Sequence, residues 1–155
     1  HHVRRLSIPK STPCHVTLRV LKDVPFLRTK RFVAEFRRSL RSGAERGAFR
    51  VVHFSIQGDH AHFVVEAADK RAMGNGMKSL AARFARSVNR AFGRSGKVLY
   101  GRYHVRALRT PREVRNALAY VLLNGREHAK KLVAAVTLDP ASWGLIDPRE
   151  VPASP

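Results

Sequence analysis

The chain has 155 residues, enough for one domain with a real core, and 44% of them are hydrophobic. Lys and Arg number 30 against 11 Asp and Glu, a formal net charge of +19. Such an excess repels itself in the compact state, and its physical use is attraction to a polyanion. Nucleic acid leads as the partner, because each neutralised phosphate releases counterions; an anionic membrane surface is the rival. One cysteine, Cys14, excludes an intrachain disulfide framework and a cysteine-built zinc site, and fits a reducing, cytoplasmic setting. No apolar run approaches the ~20 residues that a membrane span needs, so no membrane partner is expected.

Residues 1–13 are basic, with Arg4, Arg5 and Lys10, and are punctuated by Pro9 and Pro13; they read as an arm. CHVTLRVL (14–21) alternates, with Cys14, Val16, Leu18 and Val20 on one side and His15, Thr17 and Arg19 on the other. Residues 29–41 set Phe32, Val33, Phe36 and Leu40 at helical spacing. FRVVHFSIQ (49–57) is a second strand, with Val52, Phe54 and Ile56 alternating with Val51, His53, Ser55 and Gln57. Gly58-Asp59 signals a tight turn, and HAHFVVEA (60–67) follows as the partner strand of a hairpin. Its core side is Ala61, Phe63 and Val65; its other side carries His60, His62 and Glu66.

A long helix over 70–92 places Met73, Met77, Leu80, Phe84 and Val88 on one stripe, flanked by Lys78, Arg83, Arg86 and Arg90. A turn at 93–98 leads into VLYGRYHVRAL (98–108), a fourth strand with weaker alternation. TPREVRNALAYVLLN then opens a third helix, with Thr110 as cap, Pro111 in the first turn and Glu113 closing a capping box. The apolar side of this helix is Val114, Ala117, Leu118, Val121 and Leu122. The expected organisation is a basic arm (1–13), a catalytic-type domain (14–136) and a Pro-rich tail (137–155).

The order β-α-β-β-α-β followed by a helix predicts an α+β, ferredoxin-like antiparallel sheet, with helices on one face and the other face open. The open face would carry His15, Thr17, Arg19, His53, Ser55, Gln57, His60, His62 and Glu66. In a strand, residues two apart point the same way, with Cα atoms about 7 Å apart. His60 and His62 can therefore converge on one ion over the sheet, or stand as two polar residues facing water. On the third helix, Tyr120 and Asn124 are four apart and share a stripe. Tyr120 lies well off the apolar direction, which suits a reactive phenol and equally suits a tyrosine at an amphipathic edge.

HVTLRV, DHAHFVVEA and RYHVRALRTPREVRNALAYVLLN together resemble the REP-associated tyrosine transposases, members of the HUH single-tyrosine transposases. The resemblance runs from residue 14 to about 128 in the family's order. It implies His60 and His62 as ligands of Mg²⁺ or Mn²⁺, Tyr120 as nucleophile and Asn124 as a further metal ligand. The implied reaction is cleavage and rejoining of single-stranded or hairpin DNA through a 5′-phosphotyrosine, by a monomer or a homodimer. Two positions depart from the family: Asp59 stands where it usually has Asn before the first histidine, and Gly125 where it often has Pro after Asn.

His15 reads as a partner fixing an imidazole tautomer or as a solvated histidine. Arg19, Gln57, Arg102 and Tyr103 are further candidates for contacting substrate, Tyr103 also being a rival nucleophile. Arg4, Arg5, Arg83, Arg86 and Arg90 are candidates for the DNA backbone. Two other functions use the same scaffold. One is a non-catalytic nucleic-acid-binding module, although the predicted face has histidines where RRM domains stack bases on aromatics. The other is a metal-dependent nuclease that uses water as nucleophile.

Overall fold

A computed structural model describes residues 12–42 and 48–123. Strand β1 (Cys14–Arg19) is followed by α1 (Lys30–Ser42), β2 (Phe49–Ile56), β3 (His60–Ala67), α2 (Lys70–Phe92), β4 (His104–Ala107) and α3 (Pro111–Leu123). The strands form one antiparallel sheet in the order β2-β3-β1-β4. The expected α+β, ferredoxin-like sheet is therefore the one observed.

The helices start where local chemistry satisfies their free amides. Thr29 Oγ1 accepts from the Phe32 amide at 3.1 Å, and Asp69 caps α2 by accepting from Ala72 at 2.8 Å. At α3 the capping box is complete. Glu113 N–H donates to Thr110 Oγ1, and the Glu113 carboxylate accepts from Thr110 N–H, both at 3.2 Å. Helix α2 ends at Gly93, whose φ of 60° only glycine adopts without strain.

The main core lies between the sheet and the pair α1/α2. Phe36 is its hub, with edge-on ring contacts to Phe84 at 5.3 Å and Phe63 at 5.9 Å. Burying each such ring contributes about 2–3 kcal/mol. Across the sheet, α3 packs through Ala117, Leu118 and Val121 on Val64 and Leu108, with Val52 and Val114 at the margin.

Three details differ from the sequence-based expectation. The face expected to stand open is partly covered by α3, because its apolar stripe finds a second apolar patch at Val64. Strand β2 has an irregularity between Val51 and His53, so Val51 joins the main core while Val52 turns toward α3. The extra residue reverses the alternation expected there. The last strand is also shorter than 98–108: Leu99 makes one bridge to Val20, Gly101 then adopts φ 64°, and regular pairing resumes at His104. The arm residues 1–11, with Arg4 and Arg5, and everything from Asn124 on, including the tail, lie outside the described residues.

Candidate active site

The site is built on the two central strands. Register pairs Thr17 with His62 and Arg19 with His60 across β1 and β3, so the even-numbered positions of β3 and the odd-numbered ones of β1 share one face. Next to them β4 sets Arg106 opposite His15 and His104 opposite Thr17. The sequence reading named neither His104 nor Arg106 for the site. The signal lay in the alternation of HVRA, which the glycine before it obscured.

On that face three imidazoles meet. His60 Nε2 and His62 Nε2 are 3.1 Å apart. His62 Nδ1 lies 3.2 Å from both Thr17 Oγ1 and His15 Nε2, and the His15 and His62 rings stack at 5.2 Å. On the far side of His60, Nδ1 is 2.6 Å from Asp59 Oδ1. A carboxylate acceptor there places the proton on Nδ1 and leaves the Nε2 lone pair pointing at His62. That hydrogen bond also holds the Asp59 carboxyl below the ordinary carboxylate range.

Helix α3 brings the phenol over this cluster. The Tyr120 ring sits edge-on to His62 at 4.9 Å and to His15 at 5.8 Å, yet the residue is 50% exposed. By contrast His62 is only 5% exposed. Burial first, then neighbouring His60 and His15, push its pKa down to about 4, so near neutral pH it is an uncharged donor. Burial, reinforced by Arg106, lowers His15 as well.

The donor set suits a divalent ion. Imidazoles with Nε2 atoms 3.1 Å apart match the edge between adjacent ligands of an octahedral ion, which at bonds of ~2.1 Å is about 3 Å. Without a cation between them, one nitrogen has to donate its proton to the other. Among the described residues, no three or more His, Cys, Asp or Glu side chains gather as a full coordination shell. The histidine pair thus offers part of a shell, and Asn124, the third expected ligand, lies outside the described residues.

The other expected residues are distributed as follows. Arg19 is exposed beside His60, and Gln57 donates to Ser55 Oγ at 2.9 Å on β2 of the same face. Arg102 and Tyr103 are exposed immediately before β4. Glu66 lies beyond Val64 and takes an ion pair from Arg50 at 2.5 Å, away from the imidazoles. His53 is buried, lowered by that burial, and its Nδ1 has no hydrogen-bond partner among the described residues. Arg83, Arg86 and Arg90 belong to α2, on the opposite side of the sheet. There Arg83 donates to the Ser39 carbonyl at 2.9 Å and Arg90 pairs with Glu35 at 2.7 Å, both on α1.

Among solved structures, a REP-associated tyrosine transposase bound to a REP hairpin shares the fold. Its TM-score is 0.57 at 15% identity, covering 86% of this chain and 75% of that one. A crystal structure of a Deinococcus radiodurans protein assigned as a transposase aligns with a TM-score of 0.49 at 15% identity, covering 89% and 95%. No curated protein sequence matches the chain. The family model for IS200-like transposases matches residues 10–121. With most of the chain inside that match, and the fold of a tyrosine transposase around the histidine cluster, the protein belongs to the IS200-like transposase family.

Proposed function

We propose that the protein cuts and rejoins single-stranded DNA beside a hairpin, with Tyr120 as the nucleophile and a divalent ion at His60 and His62. The observation that supports this best is the Tyr120 ring 4.9 Å from His62, whose Nε2 is itself 3.1 Å from that of His60. A phenol beside a metal-type pair of imidazoles is the minimum that phosphoryl transfer to tyrosine needs. The solved relative with the same fold was bound to a hairpin, and a net charge of +19 suits a phosphate backbone.

Each residue has a definable task. Asp59 accepts from His60 Nδ1 and so leaves Nε2 free to ligate; Thr17 and His15 hold His62 from behind by its Nδ1. Mg²⁺ or Mn²⁺ at the two Nε2 atoms, with Asn124 as a further ligand, would offset negative charge on a non-bridging oxygen of the scissile phosphate. Tyr120 Oη attacks phosphorus in line and the bond from phosphorus to O3′ breaks. The phenolic proton is lost from Tyr120 and the departing oxygen gains one, giving a 3′-hydroxyl and a 5′-phosphotyrosine. Attack by another 3′-hydroxyl reverses the step and joins a strand, so the bond energy is conserved.

The test is formation of a denaturation-resistant adduct with labelled hairpin-bearing single strands in Mn²⁺. Wild type should form it, whereas Tyr120→Phe and His60→Ala/His62→Ala should not. Cleavage that survives Tyr120→Phe would mean a water-using nuclease. Tight, salt-sensitive binding with no adduct from any substrate would mean a binding module.

A further inference from the structure

Among the described residues the exposed large hydrophobic side chains are Phe26, Tyr100, Tyr103 and Tyr120, at 64%, 64%, 38% and 50% exposure. All four are aromatic, and the topology brings Phe26, Tyr100 and Tyr120 to the neighbourhood of the histidine pair. Tyr100 is placed by pleating: Val20 and Leu99 form a bridge, and both point into the main core. The residues next to them, Arg19 and Tyr100, therefore point to the opposite face, and Tyr100 N–H donates to the Arg19 carbonyl at 2.8 Å. Arg19 is in turn the cross-strand partner of His60. Tyr100, Arg19 and His60 thus form a row across the site face.

Phe26 is placed by the hairpin turn. Leu27 N–H donates to the Gly58 carbonyl at 2.9 Å, which docks the loop after β1 on the turn that leads into His60. The Phe26 ring then covers Gly58 so closely that a Cβ there would fall 2.5 Å from ring atom Cε2. An aromatic ring left exposed beside a phosphate-binding site is suited to stacking on a nucleobase.

We infer that Phe26 and Tyr100 form a stacking platform for unpaired nucleobases that flank the phosphate at the histidine pair. This deepens the proposed function and rests on it for the nature of the strand. Arg19, in the same row, supplies the positive charge for the backbone between stacked bases, as in other single-strand grooves. Base stacking then lies at the His60 end of the sheet.

Because every base has a π-face, the test needs no target sequence. Affinity would be measured by fluorescence anisotropy with a short oligothymidine and with an abasic strand of equal length and charge. EDTA would be present, so that no cleavage intervenes. Wild type should prefer the strand with bases. Tyr100→Ala and Phe26→Ala should each weaken that binding about tenfold and leave abasic binding unchanged. Tyr100→Phe should restore it, which excludes simple misfolding. Equal affinity of wild type for both strands, or equal losses on both in Tyr100→Ala, would overturn the platform. So would wild-type preference for a blunt duplex unaffected by the substitutions. None of these outcomes bears on adduct formation, so failure here is distinct from failure of the tyrosine chemistry.

Discussion

Truncating Val121 should loosen the helix that carries Tyr120. Val121 is fully buried, in the small cluster with Val64, Leu108, Ala117 and Leu118 that holds α3 on the sheet. Val121→Ala removes the equivalent of two methylenes at ~0.8 kcal/mol each, and the cavity left behind brings the loss to about 2 kcal/mol. At ~1.4 kcal/mol per decade, openings that release α3 become about thirtyfold more populated. Amide hydrogen exchange measures this directly: α3 amides should exchange about thirtyfold faster than in wild type. Urea unfolding should lose the same free energy with an unchanged slope. Asn116→Ala, on the exposed side of the same helix, is the control for helix propensity and should not raise exchange. A rise in α3 exchange below threefold, or an equal rise in Asn116→Ala, would refute the reasoning that this cluster docks the helix.

Stability should fall on acidification, because His15, His53 and His62 all titrate below the ordinary histidine value when folded. The unfolded chain takes up their protons first. The stability they contribute is therefore complete above pH ~6.5 and is lost as pH falls, at up to ~1.4 kcal/mol per pH unit for each histidine. For His62 that window extends from 6.5 down to about 4; a melting temperature at pH 5 equal to that at pH 7.5 would contradict it. On α2, a Cβ at Gly74 meets nothing within 4 Å, whereas one at Gly76 would overlap the Phe49 ring. Gly74→Ala should accordingly stabilise by ~0.5–1 kcal/mol, and Gly76→Ala should cost ~1–2 kcal/mol, both read by urea titration. Thr17→Val removes the hydroxyl 3.2 Å from His62 Nδ1 and should weaken Mn²⁺ binding by ~10–100-fold in calorimetry, as loss of an orienting partner does. Unchanged affinity would show that His15 alone orients the ring.

Much of this was readable from the chain because the signals were local. Thr110 and Glu113 announced the start of α3 by a spacing that depends only on helix geometry. His60 and His62 announced a shared face by the period of a strand. The off-axis position of Tyr120 followed from the apolar stripe of its own helix. What could not be read were relations between elements. Nothing in the stripe of α3 says which face of the sheet it covers, so the burial of His62 and His53 was unexpected. The cross-strand register that sets Thr17 and His15 behind His62 depends on pairing between segments more than forty positions apart. The irregularity at Val52 is a miscount of one residue, and it reversed two side chains. Gly101, with its positive φ, interrupted the last strand and hid His104 and Arg106 from the site.

The sheet order has a consequence for assembly in time. Strands β2 and β3 are joined by a tight hairpin, so His60 and His62 reach their final spacing through short-range pairing. Strand β1 joins them across a long excursion through α1, and β4 pairs with β1 only across most of the described chain, with Cys14 opposite Ala107. Loop-closure entropy rises with each step, and residues 111–123 follow the whole sheet in chain order. During synthesis the imidazole pair therefore emerges and can pair before the phenol exists. A ribosome-bound chain ending before α3 would carry His60 and His62 without Tyr120, and the proposed chemistry would become possible only with the last helix.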